Sequence, residues 1–172
     1  FAQVPEDTPG FPIDVLINDM DNDEDTLTLM SVTQAQNGTV EIGVEGLPVY
    51  TPKENYFSRP DAPDSFSYTV SDGKGGSSEG IVKVVVTSVN DMPIVKRQGF
   101  STDEDTPLAI TMTGSDVDGD DLTFTVISGP SNGSYDGTTY TPGTNFNGSD
   151  SFTFEASDNE YSASATISIT VN

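Results

Sequence analysis

Apolar and polar residues alternate with a period of two in many short segments of this 172-residue chain. The stretch 151–156 shows the pattern best, because Phe152, Phe154 and Ala156 fall on one face while hydroxyl and acidic residues occupy the other. One buried and one solvated face is typical of a strand in an antiparallel sandwich sheet. The pattern predicts strands at 13–17, 26–31, 38–42, 49–51, 65–70 and 81–89, and again at 108–112, 122–127, 133–135, 138–141, 151–156 and 163–171.

No part of the chain keeps the 3.6-residue period of an amphipathic helix, and 16 Gly and 11 Pro residues interrupt it throughout. About seven short strands in each stretch of roughly 80 to 90 residues are typical of a Greek-key sandwich of the immunoglobulin type. The aromatic residues Phe66, Tyr68, Phe152 and Phe154 are expected in its core. We therefore predict an all-β chain without helices.

The two halves of the chain repeat one plan, because five landmarks recur in the same order about 85 to 98 residues apart. They are Glu-Asp-Thr-Pro at 6–9 and 104–107, an Asp-rich stretch at 19–25 and 116–121, Tyr-Thr-Pro at 50–52 and 140–142, Asp-Ser-Phe at 64–66 and 150–152, and Ser-Asp at 71–72 and 157–158. The repeat predicts two tandem cadherin-like or Ig-like β-sandwich modules, residues 1–91 and 92–172. The linker Val-Asn-Asp-Met-Pro at 89–93 joins them.

The composition excludes several kinds of binding partner and catalytic site. With 28 acidic and 6 basic residues the net charge is −22, a surface that repels nucleic acid and anionic lipid and attracts cations. There is no Cys or His, which excludes Cys-His and Ser-His-Asp nucleophiles and a tetrahedral zinc site. We find no signal peptide and no apolar run of about 18 residues. We expect a monomeric fragment of a longer protein, with no membrane insertion and no nucleic-acid partner.

Three Asn-Gly-Ser/Thr triplets begin at Asn37, Asn132 and Asn147. Each matches an acceptor for N-glycosylation. Asn-Gly is also the preferred pair of a type I′ turn. Two of the triplets fall at equivalent places in the two modules, which favours turns.

Many acidic residues are expected to meet where one module joins the next. In a seven-strand Greek key, the loops after even-numbered strands share the pole where the chain enters, and the loops after odd-numbered strands share the other pole. Counted in this way, residues of both modules and of the linker fall at the junction. They are Glu6, Asp64, Asn90, Asp91, Asp116, Asp118 and Asp158, and the Met92 carbonyl can add one more oxygen.

Carboxylates this close together repel one another unless a cation balances them. Oxygen ligands without nitrogen or sulfur donors select Ca2+, which accepts about six to eight oxygens in irregular geometry. Neither Asp-rich stretch is an EF-hand, because its sixth residue is not Gly and its twelfth is not Glu. The alternative is that these residues only form turns and caps. The same counting predicts half-sites at the outer ends of the chain, at Asp19, Asp21 and Asp72 and at Glu104 and Asp150.

These motifs together resemble two consecutive cadherin-like tandem repeats of giant, type I-secreted bacterial surface adhesins. The hallmarks are Glu-Asp-Thr-Pro, Asp-x-Asp-x-Asp before a Leu-Thr strand, Tyr-Thr-Pro, Asp-Ser-Phe-x-Tyr/Phe, Ser-Asp-Gly and Val-Asn-Asp-x-Pro, and they cover nearly all of both modules. The resemblance implies an extracellular place on the bacterial cell surface, Ca2+ as the bound ion, and neighbouring repeats of the same chain as partners.

The resemblance to cadherins also implies individual ligands. Glu6 takes the place of the early acidic ligand, Asp64 that of the acidic pair before the sixth strand, Asn90 and Asp91 that of the Asn-Asp linker, Asp116 and Asp118 that of the Asp-x-Asp loop, and Asp158 that of the Ala-x-Asp turn. The chain departs from the pattern in three ways. Met92 replaces a linker Asn, Asn159 replaces the Gly found at Gly73, and the Leu-Asp-Arg-Glu motif is missing. The number of ions per junction, three or fewer, is therefore open.

The first hypothesis for function is mechanical: Ca2+ converts a hinged string of modules into a stiff spacer that carries an adhesive tip. The alternative is that a module binds a ligand such as cell-surface polysaccharide, through exposed aromatics such as Tyr135 or Tyr161 or through the insertion at 56–63. A glycosidase needs two carboxylates in a cleft. The acidic residues here are predicted at module ends, so an enzyme is not expected.

Overall fold

The computed structural model describes the whole chain, from Phe1 to Asn172, and contains strands but no helix. It divides into two compact units, Phe1–Val89 (unit 1) and Asn90–Asn172 (unit 2). The predicted border, after residue 91, lies two residues further along the chain. The chain has no helix with the length and apolar character of a membrane span.

Unit 1 is a sandwich of two sheets. Its strands are β1 (Ala2–Pro5), β2 (Phe11–Pro12), β3 (Thr28–Val32), β4 (Gly38–Ile42), β5 (Pro48–Pro52), β6 (Asp64–Ser71) and β7 (Ser77–Thr87). One sheet has the order β1-β7-β6-β3 and the other β2-β5-β4. The β1–β7 pair is parallel, whereas the other pairs are antiparallel.

Unit 2 repeats this plan with two additional short strands. Its strands are β8 (Ile94–Val95), β9 (Gln98–Thr102), β10 (Leu108–Ala109), β11 (Gly114–Ser115), β12 (Thr123–Ser128), β13 (Gly133–Tyr135), β14 (Thr139–Pro142), β15 (Gly148–Ser157) and β16 (Ser162–Val171). The sheets have the orders β12-β15-β16-β9 and β10-β14-β13, and β8 pairs separately with β11. As in unit 1, the first long strand runs parallel to the last.

The alternation seen in the sequence decides which side chains form each core. In β15, Phe152, Phe154 and Ala156 are at most 2% exposed, while the residues between them face outward. Residues of both sheets meet in one apolar cluster per unit, with Tyr50 and Tyr140 at matching places. Apolar burial of this kind is the main force that holds such a sandwich together.

The strand predictions succeed best in the long hairpins. The strands 38–42 and 133–135 are confirmed, and β6 and β15 extend beyond both of their predicted ends. The strand predicted at 81–89 is β7, which starts four residues earlier and ends two residues earlier. The prediction of a strand at 13–17 is wrong. Ile13 donates one main-chain hydrogen bond to Pro48, and the Asp14 carboxylate then accepts the N–H of Leu16 and turns the chain. Predicted strand 108–112 is similarly reduced to its first two residues.

Candidate functional site: the acidic ends of the two units

Unit 2 gathers three carboxylates in the loop between β11 and β12. Ligand-capable oxygens of Asp116, Asp118 and Asp120 all lie within 4.8 Å of one another. The Asp116 carboxylate accepts the N–H of Asp118 at 2.9 Å, which bends the loop. Gly119 follows with a φ of 81°, a left-handed conformation that glycine adopts without strain. The loop can therefore hold the third carboxylate close to the first two.

The first residues of unit 2 are hydrogen-bonded to this same end. The side-chain amide of Asn90 donates to the Asp158 carboxylate at 3.0 Å, and the N–H of Asp91 donates to the Asp118 carboxylate at 2.8 Å. The chain then forms β8, which pairs with β11 immediately before the acidic loop. Five of the predicted ligands thus form two bonded groups of unit 2 that adjoin at the linker: Asn90 with Asp158, and Asp91 with Asp118 and Asp116.

Asp158 lies in the turn between β15 and β16, with its side chain buried. Its Oδ1 accepts the N–H groups of Glu160 and Tyr161 at 2.7 and 2.6 Å. Burial acts to raise the pKa of Asp158. The N–H of Tyr161, the amide of Asn90 and the N–H of Glu160 stabilise the anion, and the net effect is a lowered pKa. Asp158 is therefore ionised at neutral pH.

The acidic loop places an unbonded carboxylate oxygen next to two further carboxylates. The Oδ2 atom of Asp116 is enclosed and accepts no hydrogen bond. The ion pair between Lys74 and Asp25, at 3.7 Å, lies in unit 1 and not in this loop. An enclosed acceptor without a donor, next to two further carboxylates, is costly unless a cation lies among them.

Asp120 is the one residue of this cluster that is missing from the predicted ligands. Its place in the Asp-x-Asp-x-Asp pattern was the available signal. The left-handed turn at Gly119, which brings it back, is visible only in the structure.

The acidic end of unit 1 is arranged differently, although the sequence pattern is the same. The Asp19 carboxylate accepts the hydroxyl of Tyr68 at 3.0 and 3.1 Å. Asp21 accepts the N–H groups two and four residues further on, and Asp72 accepts those of Lys74 and Gly76. These N–H bonds, that of Lys74 first, lower the pKa of Asp72. The three carboxylates of this predicted half-site do not form a close group like that of unit 2.

The two Glu residues of the Glu-Asp-Thr-Pro motifs differ as well. Glu6 is buried, and its carboxylate accepts the N–H of Val89, the last residue of unit 1, at 2.8 Å. Glu104 is exposed and donates its N–H to the carbonyl of Asn172. A metal-ligand role stays a prediction for both, and for the carbonyl of Met92.

Asp150 lies in the interior of unit 2, 6% exposed. It accepts the N–H groups of Ser131, Asn132 and Ser151 at 2.9 to 3.0 Å and the hydroxyl of Tyr140 at 2.8 Å. Burial raises the pKa of Asp150, but these four donors outweigh it and lower the pKa overall. Burial and the bond to Asp150 in turn raise the pKa of Tyr140 well above its usual range.

Unit 1 has the same network around Asp64, which is 4% exposed. Its donors are the N–H groups of Gln36, Asn37 and Ser65 and the hydroxyl of Tyr50. Two landmarks of the repeat, Tyr-Thr-Pro and Asp-Ser-Phe, therefore meet the Asn-Gly pair in one buried network per unit. This geometry favours a structural role for Asp64 and Asp150, and their proposed contribution to metal binding stays a prediction.

The residues suggested for a sugar-binding surface are less available than expected. The ring of Tyr135 stacks on Phe152 with centroids 4.5 Å apart, and its hydroxyl donates to main-chain carbonyls, so the expectation of an exposed Tyr135 is wrong. Tyr161 is exposed. The insertion at 56–63 is tied to β7, because Ser58 and Val86 exchange two hydrogen bonds.

A comparison with curated proteins finds no match. Several solved structures are similar to this chain. The structure is similar to human protocadherin-24 EC1-2, with a TM-score of 0.59 and 14% identity over 99% of this chain and 93% of that one. It is also similar to Drosophila N-cadherin EC1-4, with a TM-score of 0.55 and 17% identity over 99% of this chain and 50% of that one. These likenesses confirm the cadherin-like fold.

An endo-fucoidan hydrolase from glycoside hydrolase family 107 matches with a TM-score of 0.37 and 23% identity, over 85% of this chain and 28% of the hydrolase. A TM-score this low has no bearing on activity. The chain spans half or less of the length of several structures that it matches. The family model for the bacterial Ig domain matches residues 1–85 and again 90–170, with the predicted tandem arrangement, and the chain therefore belongs to the bacterial Ig domain family.

Proposed function

We propose that the chain is a pair of spacer repeats from an extracellular bacterial surface adhesin, and that its unit 2 binds Ca2+ at the acidic end. In this proposal Ca2+ stiffens the passage of the chain from one repeat to the next and so supports cell adhesion. The role is mechanical rather than catalytic. Its proposed partners are neighbouring repeats of the same long chain.

One observation carries the calcium proposal. Asp116, Asp118 and Asp120 hold their oxygens within 4.8 Å of one another, and the Oδ2 of Asp116 is enclosed without a donor. The two linker residues Asn90 and Asp91 are bonded to members of the same end. Charge, enclosure and fixed linker geometry are what a structural cation site needs.

The donor set selects the ion. Carboxylate and amide oxygens are hard ligands, and the chain has no Cys or His to attract zinc or copper. Mg2+ demands near-ideal octahedral geometry, whereas Ca2+ accepts an irregular shell of about six to eight oxygens. A loop with several carboxylates, an amide and nearby carbonyls therefore fits Ca2+ better.

The ion would act by linkage. If Ca2+ binds folded unit 2 and not the unfolded chain, about a hundredfold excess over Kd stabilises the unit by about 2.7 kcal/mol. Because Asn90 and Asp91 begin unit 2 and directly follow the last residue of unit 1, an ion that fixes them also restricts the chain that joins the units.

The first test is thermal unfolding of the full chain in about 5 mM Ca2+ and in EDTA. We expect Ca2+ to raise the midpoint of unit 2 by several degrees, and Mg2+ to raise it less. Asp116→Asn should abolish most of the calcium effect. The matched control is Asp136→Asn, an exposed turn aspartate of the same unit, which should leave the effect intact.

Small-angle scattering under the same two conditions tests the mechanical part. A more elongated and narrower distribution of shapes with Ca2+ supports a stiffened spacer. A calcium-dependent midpoint without a change in scattering would refute the stiffening but keep the site. No calcium effect on either quantity, or one that survives Asp116→Asn, would refute the site itself.

A further inference from the structure

The hydroxyl of Tyr68 lies among oxygen atoms at the acidic end of unit 1. It is 3.1 and 3.0 Å from the two carboxylate oxygens of Asp19 and 3.4 Å from the carbonyl oxygen of Val15. Because it is nearly equidistant from both carboxylate oxygens, it lies in the fork of the carboxylate, which is where a bidentate Ca2+ binds. Three oxygens therefore surround this hydroxyl as ligands surround a cation.

The Tyr68 hydroxyl remains a hydrogen-bond donor at neutral pH. The side chain is buried. This burial first, and then the bond to Asp19 and its negative charge, raise the pKa of Tyr68. The proton therefore stays on the hydroxyl, which stabilises the Asp19 carboxylate through a charge-assisted hydrogen bond.

Unit 2 has no hydroxyl at the corresponding place. The Asp-Ser-Phe motifs align Tyr68 with Phe154, and the Asp-x-Asp motifs align Asp19 with Asp116. A phenyl ring has no donor, and the Oδ2 atom of Asp116 accepts no hydrogen bond. The acidic end that lacks the hydroxyl is thus the one with an unbonded carboxylate oxygen.

The residue opposite each ring matches this difference. Gly80 of β7 pairs with Tyr68, and Ala165 of β16 pairs with Phe154. A Cβ at Gly80 would overlap the Tyr68 ring close to its hydroxyl. The glycine therefore leaves room for the ring position that brings the hydroxyl to Asp19, whereas unit 2 has a methyl group at this place.

We propose that the Tyr68 hydroxyl takes the place of a cation at Asp19, and that the Tyr-Gly or Phe-Ala pair determines which unit needs a cation there. With Tyr and Gly, a hydroxyl fills the fork of the first aspartate of the Asp-x-Asp motif. With Phe and Ala, the fork stays open to the ion. The acidic end of unit 1 is then independent of Ca2+, while that of unit 2 depends on it. This role of the pair rests on the proposed calcium function of unit 2.

The test transfers the pair of unit 1 to unit 2, in the double variant Phe154→Tyr/Ala165→Gly of the full chain. Ala165→Gly alone is the matched control, because it makes the same room without adding a hydroxyl. In EDTA, unit 2 of the double variant should unfold several degrees above that of the control, because the hydroxyl gives Asp116 a donor. Equal midpoints in EDTA would overturn the proposal.

Calcium titration of the same two variants measures the competition between hydroxyl and ion. The double variant should bind Ca2+ about tenfold more weakly than Ala165→Gly, because the ion must displace a hydrogen bond to a charged group. Phe154→Tyr without Ala165→Gly should gain no stability in EDTA, because the methyl group of Ala165 keeps the ring from the required position. A gain from Phe154→Tyr alone would refute the part assigned to the glycine.

The reverse change is Tyr68→Phe in unit 1. It should lower the midpoint of unit 1 in EDTA, since Asp19 loses its donor. Ca2+ should restore part of this loss, while unit 1 of the native chain should not respond to Ca2+. Equal losses in Ca2+ and in EDTA would mean that the hydroxyl makes only a structural hydrogen bond, and would also overturn the proposal.

These outcomes are distinct from those that test the calcium site itself. If native unit 2 does not respond to Ca2+, the proposed function fails, and the midpoints in EDTA still show whether a hydroxyl satisfies Asp116. If native unit 2 responds to Ca2+ and the double variant binds it as tightly as Ala165→Gly does, only the role of the Tyr-Gly pair fails.

Discussion

The acidic ends of the two units begin with the same Asp-x-Asp pattern and adopt different arrangements. In unit 2 the linker residues are bonded to the acidic end and three carboxylates lie close together. In unit 1 Asp19 is bonded to the Tyr68 hydroxyl, Asp21 and Asp72 are bonded to N–H groups of their own loops, and an open groove lies beside them. The comparison shows that the aspartates alone do not fix the site. Their arrangement depends on the linker segment and on where the loop turns.

The two units are alike in their buried Asp-Tyr networks. The largest loss of stability that we expect comes from removing the Asp of either network. Asp64→Ala and Asp150→Ala each remove the carboxylate that accepts three main-chain N–H groups and a Tyr hydroxyl. We expect each to destabilise its own unit by about 3–5 kcal/mol. Urea unfolding measures this, and the transition that moves identifies the unit.

The control for these variants is Asp136→Ala. Asp136 also accepts main-chain N–H bonds, from Thr138 and Thr139, but it is exposed. Water can replace the lost acceptor there, so the loss should be much smaller. If Asp136→Ala cost as much as Asp150→Ala, burial would not explain the effect. If only one of the two network variants were destabilising, the units would not be equivalent scaffolds.

The pH dependence of unit 2 follows from the same network. The folded-state pKa of Asp150 is lowered below its ordinary value. Its stabilising contribution is therefore present above the unfolded-state pKa, about 3.9, and is lost as the pH falls through the folded-state pKa. The stability difference between the native chain and Asp150→Asn should be largest at neutral pH and should shrink at acidic pH. A difference that stayed constant from pH 7 to about pH 2 would contradict this origin.

The third expected effect is a loss of stability at the groove of unit 1, which is lined by Leu27, Tyr68 and Val70. Gly80 lies opposite Tyr68, as Ala165 lies opposite Phe154 in unit 2. A Cβ at Gly80 would overlap the Tyr68 ring. Gly80→Ala should therefore displace the ring from its bond to Asp19 and destabilise unit 1 by about 1–3 kcal/mol.

The matched change in unit 2 is Ala165→Gly. It only removes a methyl group and adds freedom to the unfolded chain, so we expect a loss of about 0.5–1 kcal/mol. Thermal unfolding of both variants provides the measurement. A neutral Gly80→Ala would mean that the Tyr68 ring moves freely in the groove.

The sequence predicts the fold well, because apolar and polar residues alternate clearly in long hairpins such as β15–β16. It does not predict β1 and β9, and it also misses β8 and β11, since two-residue strands have no period to detect. It predicts the acidic cluster of unit 2 from spacing, but it assigns Asp64 and Asp150 to module ends. Strand order predicts at which end of a module a residue lies, but it does not predict the direction of its side chain. Here the carboxylates of Asp64 and Asp150 point inward to a Tyr hydroxyl, which depends on tertiary packing.

The smallest predicted effects concern the loop turns that separate the two acidic ends. Unit 2 makes its left-handed turn at Gly119, with φ 81°, whereas unit 1 makes it at Glu24, with φ 61°. A side chain in this conformation costs about 1–2 kcal/mol. Gly119→Ala should therefore destabilise unit 2 by about that amount and weaken calcium binding, although a Cβ there meets no neighbour.

Glu24→Gly is the reverse change in unit 1. It removes the strain of the left-handed conformation but adds freedom to the unfolded chain, so unit 1 should gain less than about 1 kcal/mol. Urea midpoints of the two variants measure both effects. If Gly119→Ala left the stability and the calcium response of unit 2 unchanged, the position of the turn would not explain why the carboxylates converge in unit 2. The linker segment alone would then account for the difference between the two ends.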